Sequence, residues 1–542
     1  MKNSDKEWLE HLTTSIPKEA YGYMISSYSV ALEGWRRGLT LSFHNHNKRK
    51  TETVFTLSYG SKTHRFSVTR GDKVPIEAVK ICINKDLTKQ YLMKSGVPTP
   101  EGKAFNSDQH RNEIFNYANK LGYPLVIKPV DGTGGHGVIA NIENKSEFLQ
   151  ALKYVTEDLN YKEIIVEKHF DGIDSRVYVI GGKVIGAIKR VQAHVIGDGV
   201  STIEELIKVK EQERFNNPAL YGRKLKIDNE VQDLLKRQGH SLNSIPKKGE
   251  LVLLRTKNNV SSGGESIDIT DEITDEIKQI AINAAKAIPG LVQCGVDLII
   301  NFEKNTAVVL EINSRPHITA QLFPEKGKAR DIPRAIIDYY FPETKANHQK
   351  PFYYFEFSHV WDSFQKGNIK QITIPDIPKG NLTSLKFTIS GNLQRINFGS
   401  WVQELANKLE LNGYIEHTTN GNVSIVVSGE VNSIKKFKNE LNTSSYIMNK
   451  INSINEENYD KPIKIGFEII NEELDEPLPS GYYPVRIEGL RKDLLKSPSK
   501  SKKTSNKKYN NEIDYKKEYE KIIKSTSWKI TKPLRIIKKI FK

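Results

Sequence analysis

Two apolar runs, Cys294 to Asn301 and Thr306 to Ile312, flank Glu303-Lys304-Asn305, and that pattern commits the chain to a β-hairpin with its turn near residue 304. Pairing about that centre sets Asp297 opposite Glu311, and the two-residue period of a strand puts Asn313 on the same face as Glu311. Like charges directly opposite one another destabilise a sheet unless a cation lies between them. Magnesium is the hard ion that uses few carboxylates together with substrate phosphates, so Asp297, Glu311 and Asn313 read as a metal set. The plainer reading is an exposed acidic hairpin. Arg315 follows closely and suits a phosphate or a substrate carboxylate.

A second run carries phosphate chemistry. In Tyr123-Pro-Leu-Val-Ile-Lys-Pro-Val-Asp-Gly-Thr-Gly-Gly-His-Gly137 a β-run bearing Lys128 leads into a loop with four glycines in seven residues. Glycines let backbone amides approach phosphate oxygens, and a lysine at the strand end supplies a point charge. An ordinary glycine-rich surface loop is the alternative. No glycine loop ending in Gly-Lys-Ser/Thr occurs anywhere, which argues against a Walker-type fold.

Length and composition bound the rest. A chain of 542 residues exceeds one hydrophobic core, and 37% apolar residues with 20 Phe and 23 Tyr furnish several. No uninterrupted apolar stretch approaches the roughly 20 residues of a bilayer span. The polar N-terminus does not read as a secretory signal, and two cysteines exclude a disulfide framework or a thiolate zinc site, so a cytoplasmic protein is expected. The net charge of +16 suggests nucleic acid until it is located: 15 lysines and one arginine against four acids give residues 496–542 a charge of +12. The folded body carries only +4, and no nucleic-acid partner is expected.

The patterns predict a small α/β module over 1–76, an alternating α/β region over 77–345 and a Pro/Gly-punctuated linker over 346–383. Residues 384–470 read βαββαβ, a ferredoxin-like order, with strands at Leu385 to Ser390, Gly413 to His417, Val423 to Ser428 and Ile463 to Ile470. A connector (471–495) and a basic, partly disordered tail (496–542) complete the chain.

The run from Asn84 to Pro342 resembles the ATP-grasp ligases, within them the ATP-grasp domains of cyanophycin synthetase and bifunctional glutathione synthetase. The resemblance is carried by Asn84 to Lys89, Gly96-Val-Pro-Thr-Pro100, the Lys128 loop, Val166-Glu-Lys-His-Phe-Asp-Gly-Ile-Asp174-Ser-Arg176, Lys189-Arg190, Gly197 to Leu206, Arg255 to Gly264, Asp268-Ile-Thr-Asp271 and Glu311-Ile-Asn-Ser-Arg-Pro316. It covers about half of the chain. It implies an ATP-grasp fold and a carboxylate-amine ligase that uses ATP and Mg2+, with Mn2+ as a substitute, on small-molecule acid and amine substrates. Lys85 and Lys128 would meet the ATP phosphates, and Asp131, Gly132, Gly134, Gly135 and Gly137 would form the loop over them. Glu167, Lys168 and Phe170 would line the adenine pocket and Asp174 would hold the ribose. Arg255, Asn259 and Arg315 would act at the triphosphate or acyl phosphate. Duller readings stand beside these: Glu167 as a surface strand residue, Ser201-x-x-Glu204 as a helix capping box, His136 as a loop histidine, Arg176 as an ion pair. A decayed, non-catalytic nucleotide-binding protein is the rival to the ligase. The second, Mur-ligase-like domain of cyanophycin synthetase has no counterpart here, so two-site polymer synthesis is not expected.

Residues 384–470 resemble acylphosphatase through Gly391-Asn-Leu-Gln-Arg-Ile-Asn-Phe-Gly-Ser-Trp401, Gly413-Tyr-Ile-Glu-His417 and Asn420 to Ile425. In that family an arginine follows the phenylalanine of the phosphate loop and an asparagine ends the Gly-Trp-Val strand. Gly399 and His417 occupy those places here, which implies a non-hydrolytic domain, with Arg395 as a displaced substitute. In the tail, Ser527-Trp-Lys-Ile-Thr-Lys-Pro-Leu-Arg535 resembles a terminal signature of bacterial cell-surface polysaccharide enzymes. Leu534, Ile537, Ile540 and Phe541 recur there at helical spacing opposite lysines, which suggests peripheral contact with an anionic inner membrane face.

Overall fold

The computed structural model describes residues 6–45, 53–106, 111–131, 136–347, 352–365, 369–391, 393, 397–418, 422–444 and 450–470. Gly132, Gly134 and Gly135, Arg395, the connector and the tail with its membrane motif lie outside these residues. Among the described residues no helix is long and apolar enough to cross a membrane.

The predicted hairpin is the edge of a five-stranded antiparallel sheet ordered Glu265–Asp268, Lys183–Val191, Ile173–Ile180, Gln293–Asn301, Thr306–Asn313. Alternation divides its faces. Val177, Val179, Cys294, Val296, Leu298 and Ile300 are buried with Ile277, Ala281, Ala284 and Ala285 of helix Asp275–Ala287. Burying each of the larger aliphatic side chains contributes about 1.5–3 kcal/mol. Arg176, Asp297, Glu311 and Asn313 alternate to the other face.

The hairpin reaches this register by a route the simple count misses. Near the turn Asn301 pairs with Thr306 and Leu298 with Val309, one residue off the symmetry about 304; a bulge after Leu298 then restores Asp297 opposite Glu311. Core packing requires the slip. Ala307 and Val309 share the helix-facing side with Ile312, an odd-to-even change of phase that no regular strand provides. Leu310 is the inserted residue.

Beside this sheet lies a four-stranded antiparallel one, ordered Gly102–Asn106, Glu163–Lys168, Leu125–Pro129, Ile139–Ile142. Its inward residues Leu125, Ile127, Ile164 and Val166 pack with Phe105, Ile114 and Phe148, leaving Lys128 and Glu167 to face away. A small subdomain joins strands His194–Ile196 and Leu251–Leu253 to helices Ile203–Phe215 and Asn229–Arg237. The first helix has a capping box, but one residue later than Ser201-x-x-Glu204: Thr202 and Glu205 make the reciprocal bonds, while Ser201 is held by Asp198. Phase decides this, because Ile203 must enter the core as the first helical residue.

In the N-terminal module, helix Ile25–Arg36 is buried along its whole length against strands Thr40–His44, Val54–Tyr59 and Lys62–Ser67. The stretch 346–383 supplies Gln371–Thr373 as a further strand beside Thr40–His44, and Tyr353–Tyr354 pairs with Ile463–Lys464. The C-terminal sheet has the order Ile451–Asn458, Leu382–Gly391, Val423–Glu430, Asn412–His417, Phe467–Ile470, with helices Phe398–Lys408 and Val431–Thr443. Its fourth strand is thus Ile451–Asn458, and the segment read as Ile463 to Ile470 divides into Ile463–Lys464 and Phe467–Ile470. The overlooked strand is Ile-Asn-Ser-Ile-Asn-Glu-Glu-Asn, mostly solvated at an edge, where pairing rather than apolar alternation makes a strand.

Candidate functional site

Helix Lys85–Lys94 begins at Asn84, whose side-chain oxygen accepts the Leu87 amide at 2.9 Å. Four residues apart, Lys85 and Lys89 share one helix face and line a cleft with Thr88, Lys128, Ile165 and Glu167. Val309 and Leu310 of the hairpin, with Thr99 and Pro100, complete the lining. Glu167, only 3% exposed, bridges two lysines: Lys89 Nζ donates to Oε1 at 2.7 Å and Lys128 Nζ lies 2.6 Å from Oε2. Burial pushes the Glu167 carboxyl up, yet the two ammonium groups outweigh it and hold the carboxyl below its ordinary value.

Lys85 ties this cleft to the hairpin, its Nζ lying 3.9 Å from Glu311 Oε2. The Asn313 amide donates to Glu311 Oε1 at 3.1 Å. Asp297 is gripped by Arg176, whose Nε and Nη2 donate to its two oxygens at 2.6 and 2.8 Å, with Arg190 Nη2 at 3.3 Å. Burial would raise the Asp297 carboxyl, but Arg176 first and Arg190 second hold it at about 2. Arg190 also pairs with Asp174, at 2.5 Å from Nη2 to Oδ1. There burial prevails, helped by Asp297, and the Asp174 carboxyl is raised. Lys85, Lys128, Glu167, Asp174, Asp297, Glu311 and Asn313 are therefore linked by contacts around one cleft and one sheet face.

Other expected residues lie elsewhere or bind locally. Arg255 is held by Asp228 at 2.8 Å, by Glu230 at 2.6 Å and by the Lys226 carbonyl, all within the small subdomain. Asn259 caps the turn Val260–Ser262 through Ser261. Lys168 Nζ donates to the Gly122 and Tyr123 carbonyls, and Phe170 is half-buried. Arg315 Nη1 donates to Ser67 Oγ at 3.1 Å, reaching the N-terminal module. Gly137 has φ +74° and Asp131 enters the glycine loop before it; His136 Nδ1 lies 2.9 Å from Tyr161 Oη. Sequence reasoning gave no role to Lys89 or Arg190. Spacing could have found Lys89, four residues after Lys85; nothing in the sequence pairs Arg190 with both Asp174 and Asp297.

The cleft thus joins lysines of one helix and one strand to the hairpin that bears Asp297, Glu311 and Asn313. The RimK-like ATP-grasp domain model matches residues 82–199 and 224–339. This region is an ATP-grasp domain. Cyanophycin synthetase of Trichormus variabilis is 36% identical over 300 residues, covering 54% of this chain and 33% of that protein. The glutathione biosynthesis bifunctional protein of Pasteurella multocida is 35% identical over 275 residues, covering 48% of this chain and 36% of its own length. A crystal structure of bifunctional glutathione synthetase from Pasteurella multocida aligns with 54% of this chain and 40% of its own at 30% identity, with a TM-score of 0.43. The chain spans about a third of the length of the curated relatives it matches. The Acylphosphatase model matches residues 385–469, so an acylphosphatase domain follows the ATP-grasp domain.

Proposed function

We propose that this protein is an ATP- and Mg2+-dependent ligase that joins a carboxylate to an amine through an acyl phosphate. The observation that carries the reading is the cleft in which Lys85, Lys89 and Lys128 stand against the hairpin bearing Asp297, Glu311 and Asn313. Among the residues that line the cleft, three ammonium groups face one carboxylate, Glu167, which leaves that lining cationic, as a triphosphate requires. A carboxylate oxygen of the acid attacks the γ-phosphorus and the bond to ADP breaks; the amine nitrogen then attacks the acyl carbon, phosphate leaves and the amine loses a proton. Lys85 and Lys128 neutralise the transferring phosphoryl group, and no nucleophilic side chain is needed because positioning and charge do the work.

The donor set fits a hard divalent ion: two carboxylates and an amide oxygen share one sheet face, and Asp297 Oδ1 keeps a lone pair after its bond from Arg176 Nε, while Oδ2 faces both Arg176 and Arg190. Asp297, Glu311 and Asn313 would hold magnesium, which supplies charge neutralisation between the phosphates when bound. Two free thiols, Cys82 and Cys294, suit a reducing, ATP-supplied cytoplasm. The finer reading, addition of an amino acid or peptide unit in cell-surface polymer synthesis, rests on the tail motif alone.

Substrate-dependent ADP release from an amino-acid panel tests the activity. Glu311→Ala is expected to abolish magnesium-dependent ATP turnover with the circular dichroism spectrum retained. Calorimetry that detects no ATP binding with magnesium present would overturn the assignment.

A further inference from the structure

Beside Arg176, side chains of the N-terminal module meet the end of the hairpin. Pro316 and the Arg176 stem pack so closely over Gly295 that a Cβ there would lie 2.9 Å from Pro316 and 3.5 Å from Arg176. His317 follows, with Nδ1 3.3 Å from Ser26 Oγ and its ring 4.9 Å from that of Tyr23. The Arg223 guanidinium lies 4.0 Å above the Tyr23 ring. Its segment is fixed to the same module, since the Gly22 amide donates to the Pro218 carbonyl at 2.9 Å and Tyr21 packs edge-on against Tyr221. Burial first, then Arg223, Arg315 and Arg176, push His317 down to about 4, so it stands neutral among three cations at neutral pH.

Arg223 is the anomaly. Its Nη2 is buried without a hydrogen-bond partner among the described residues, and its charged neighbour is another cation, Arg214. A desolvated guanidinium with an unused donor is costly unless an anion completes it, and the Tyr23 face orients it without neutralising it. Tyr23 is 54% exposed, so the place opens to solvent.

We infer that Arg223, set by Tyr23 beside His317, receives a second anionic group of the acid substrate, which makes that acid a dicarboxylate or larger polyanion. This rests on the ligase reading, and it sets the reacting carboxylate at the hairpin, whose end Pro316 and the Arg176 stem join to His317. The N-terminal module thereby acquires a function, as the wall that selects the acid.

Calorimetry on the full chain with Mg2+ and ADP present tests the inference, with glutarate, citrate, butyrate and inorganic phosphate as probes. Glutarate and citrate are expected to bind about tenfold or more tightly than butyrate, the worth of one desolvated charge-assisted pair. Arg223→Gln is expected to erase that preference, Arg223→Lys to keep part of it, and both to bind Mg–ATP as the parent does. Tyr23→Ala, at an exposed side chain, is expected to weaken glutarate about threefold through loss of the cation–π contact. Equal affinity for glutarate and butyrate, or glutarate affinity unchanged in Arg223→Gln, would overturn the inference. Binding of phosphate as tight as that of glutarate would also overturn it, leaving a plain anion site. A parent chain that binds glutarate through Arg223 but fails to bind Mg–ATP would instead sink the ligase reading.

Discussion

Glu325 is nearly withdrawn from water beside Glu265, with Arg214 Nη1 3.7 Å away, and burial pushes its carboxyl up to about 7. Its folded pKa stands above the ordinary value of 4.5, so its contribution to stability is fully present below about pH 4.5 and is lost as pH rises through 7. The displacement corresponds to about 3 kcal/mol of stability sacrificed by pH 8. Glu325→Gln keeps the shape and removes the charge, while Arg214 retains bonds to the Gly264 and Val260 carbonyls. Urea midpoints measured from pH 5 to 8 are expected to fall for the parent and stay nearly level for the variant; parallel curves would refute the account. The same contrast explains which site residues were legible. Asp297 followed from hairpin pairing and Lys128 from its place at the end of a β-run before the glycine loop, both of them local backbone patterns, whereas Glu167 came from the resemblance alone. Arg255 was assigned by resemblance, and whether a guanidinium meets a phosphate or Asp228 and Glu230 depends on carboxylates 25 to 27 residues away, which no local spacing encodes.

Among the elements, the hairpin bulge has the clearest consequence. Leu310 has no cross-strand partner between Val309 and Glu311, and it lines the cleft next to Lys85 and Lys89. Deleting it leaves Val309 and Ile312 facing the helix and Glu311 and Asn313 facing the site, since the flanking residues then alternate regularly. The deletion is therefore expected to retain a cooperative thermal transition while weakening ATP binding by about tenfold, the order of one apolar side chain removed from a cleft. Unchanged nucleotide affinity would show that Leu310 does not shape the cleft. Sequence reasoning paired Asp297 with Glu311 correctly while missing the slip, because the run Ala307-Val-Val-Leu310 is apolar at every position and hides its change of phase. The edge strand Ile451–Asn458 escaped for the opposite reason: it has too few apolar residues to show any phase.

At the scale of the whole molecule, one chain carries a domain proposed to make an acyl phosphate and a domain whose family name describes its hydrolysis. An active hydrolase beside the ligase would discard the intermediate before the amine arrives. The two domains share a core: Tyr178 and Ile180 of the ATP-grasp sheet, the buried helix Ile25–Arg36, and Val426 and Ile463 of the C-terminal domain belong to one apolar cluster. Tyr353 Oη lies 2.7 Å from Ser428 Oγ within it, so the acylphosphatase domain is built into the body. Its chemistry turns on Gly399 and His417, where the family resemblance expects arginine and asparagine. Packing does not force the glycine: a Cβ at position 399 would meet Ile469 at 3.4 Å, an ordinary contact, and the backbone there is helical. At these two positions a glycine and a histidine stand where the resemblance expects a guanidinium and a carboxamide to hold an acyl phosphate. The full chain is therefore expected to leave benzoyl phosphate at its background rate of hydrolysis, and Gly399→Arg combined with His417→Asn to raise that rate at least about tenfold, since one oriented cation and one donor typically supply that much. Hydrolysis by the parent that disappears in Arg395→Ala would show the reverse, a working site whose arginine has moved.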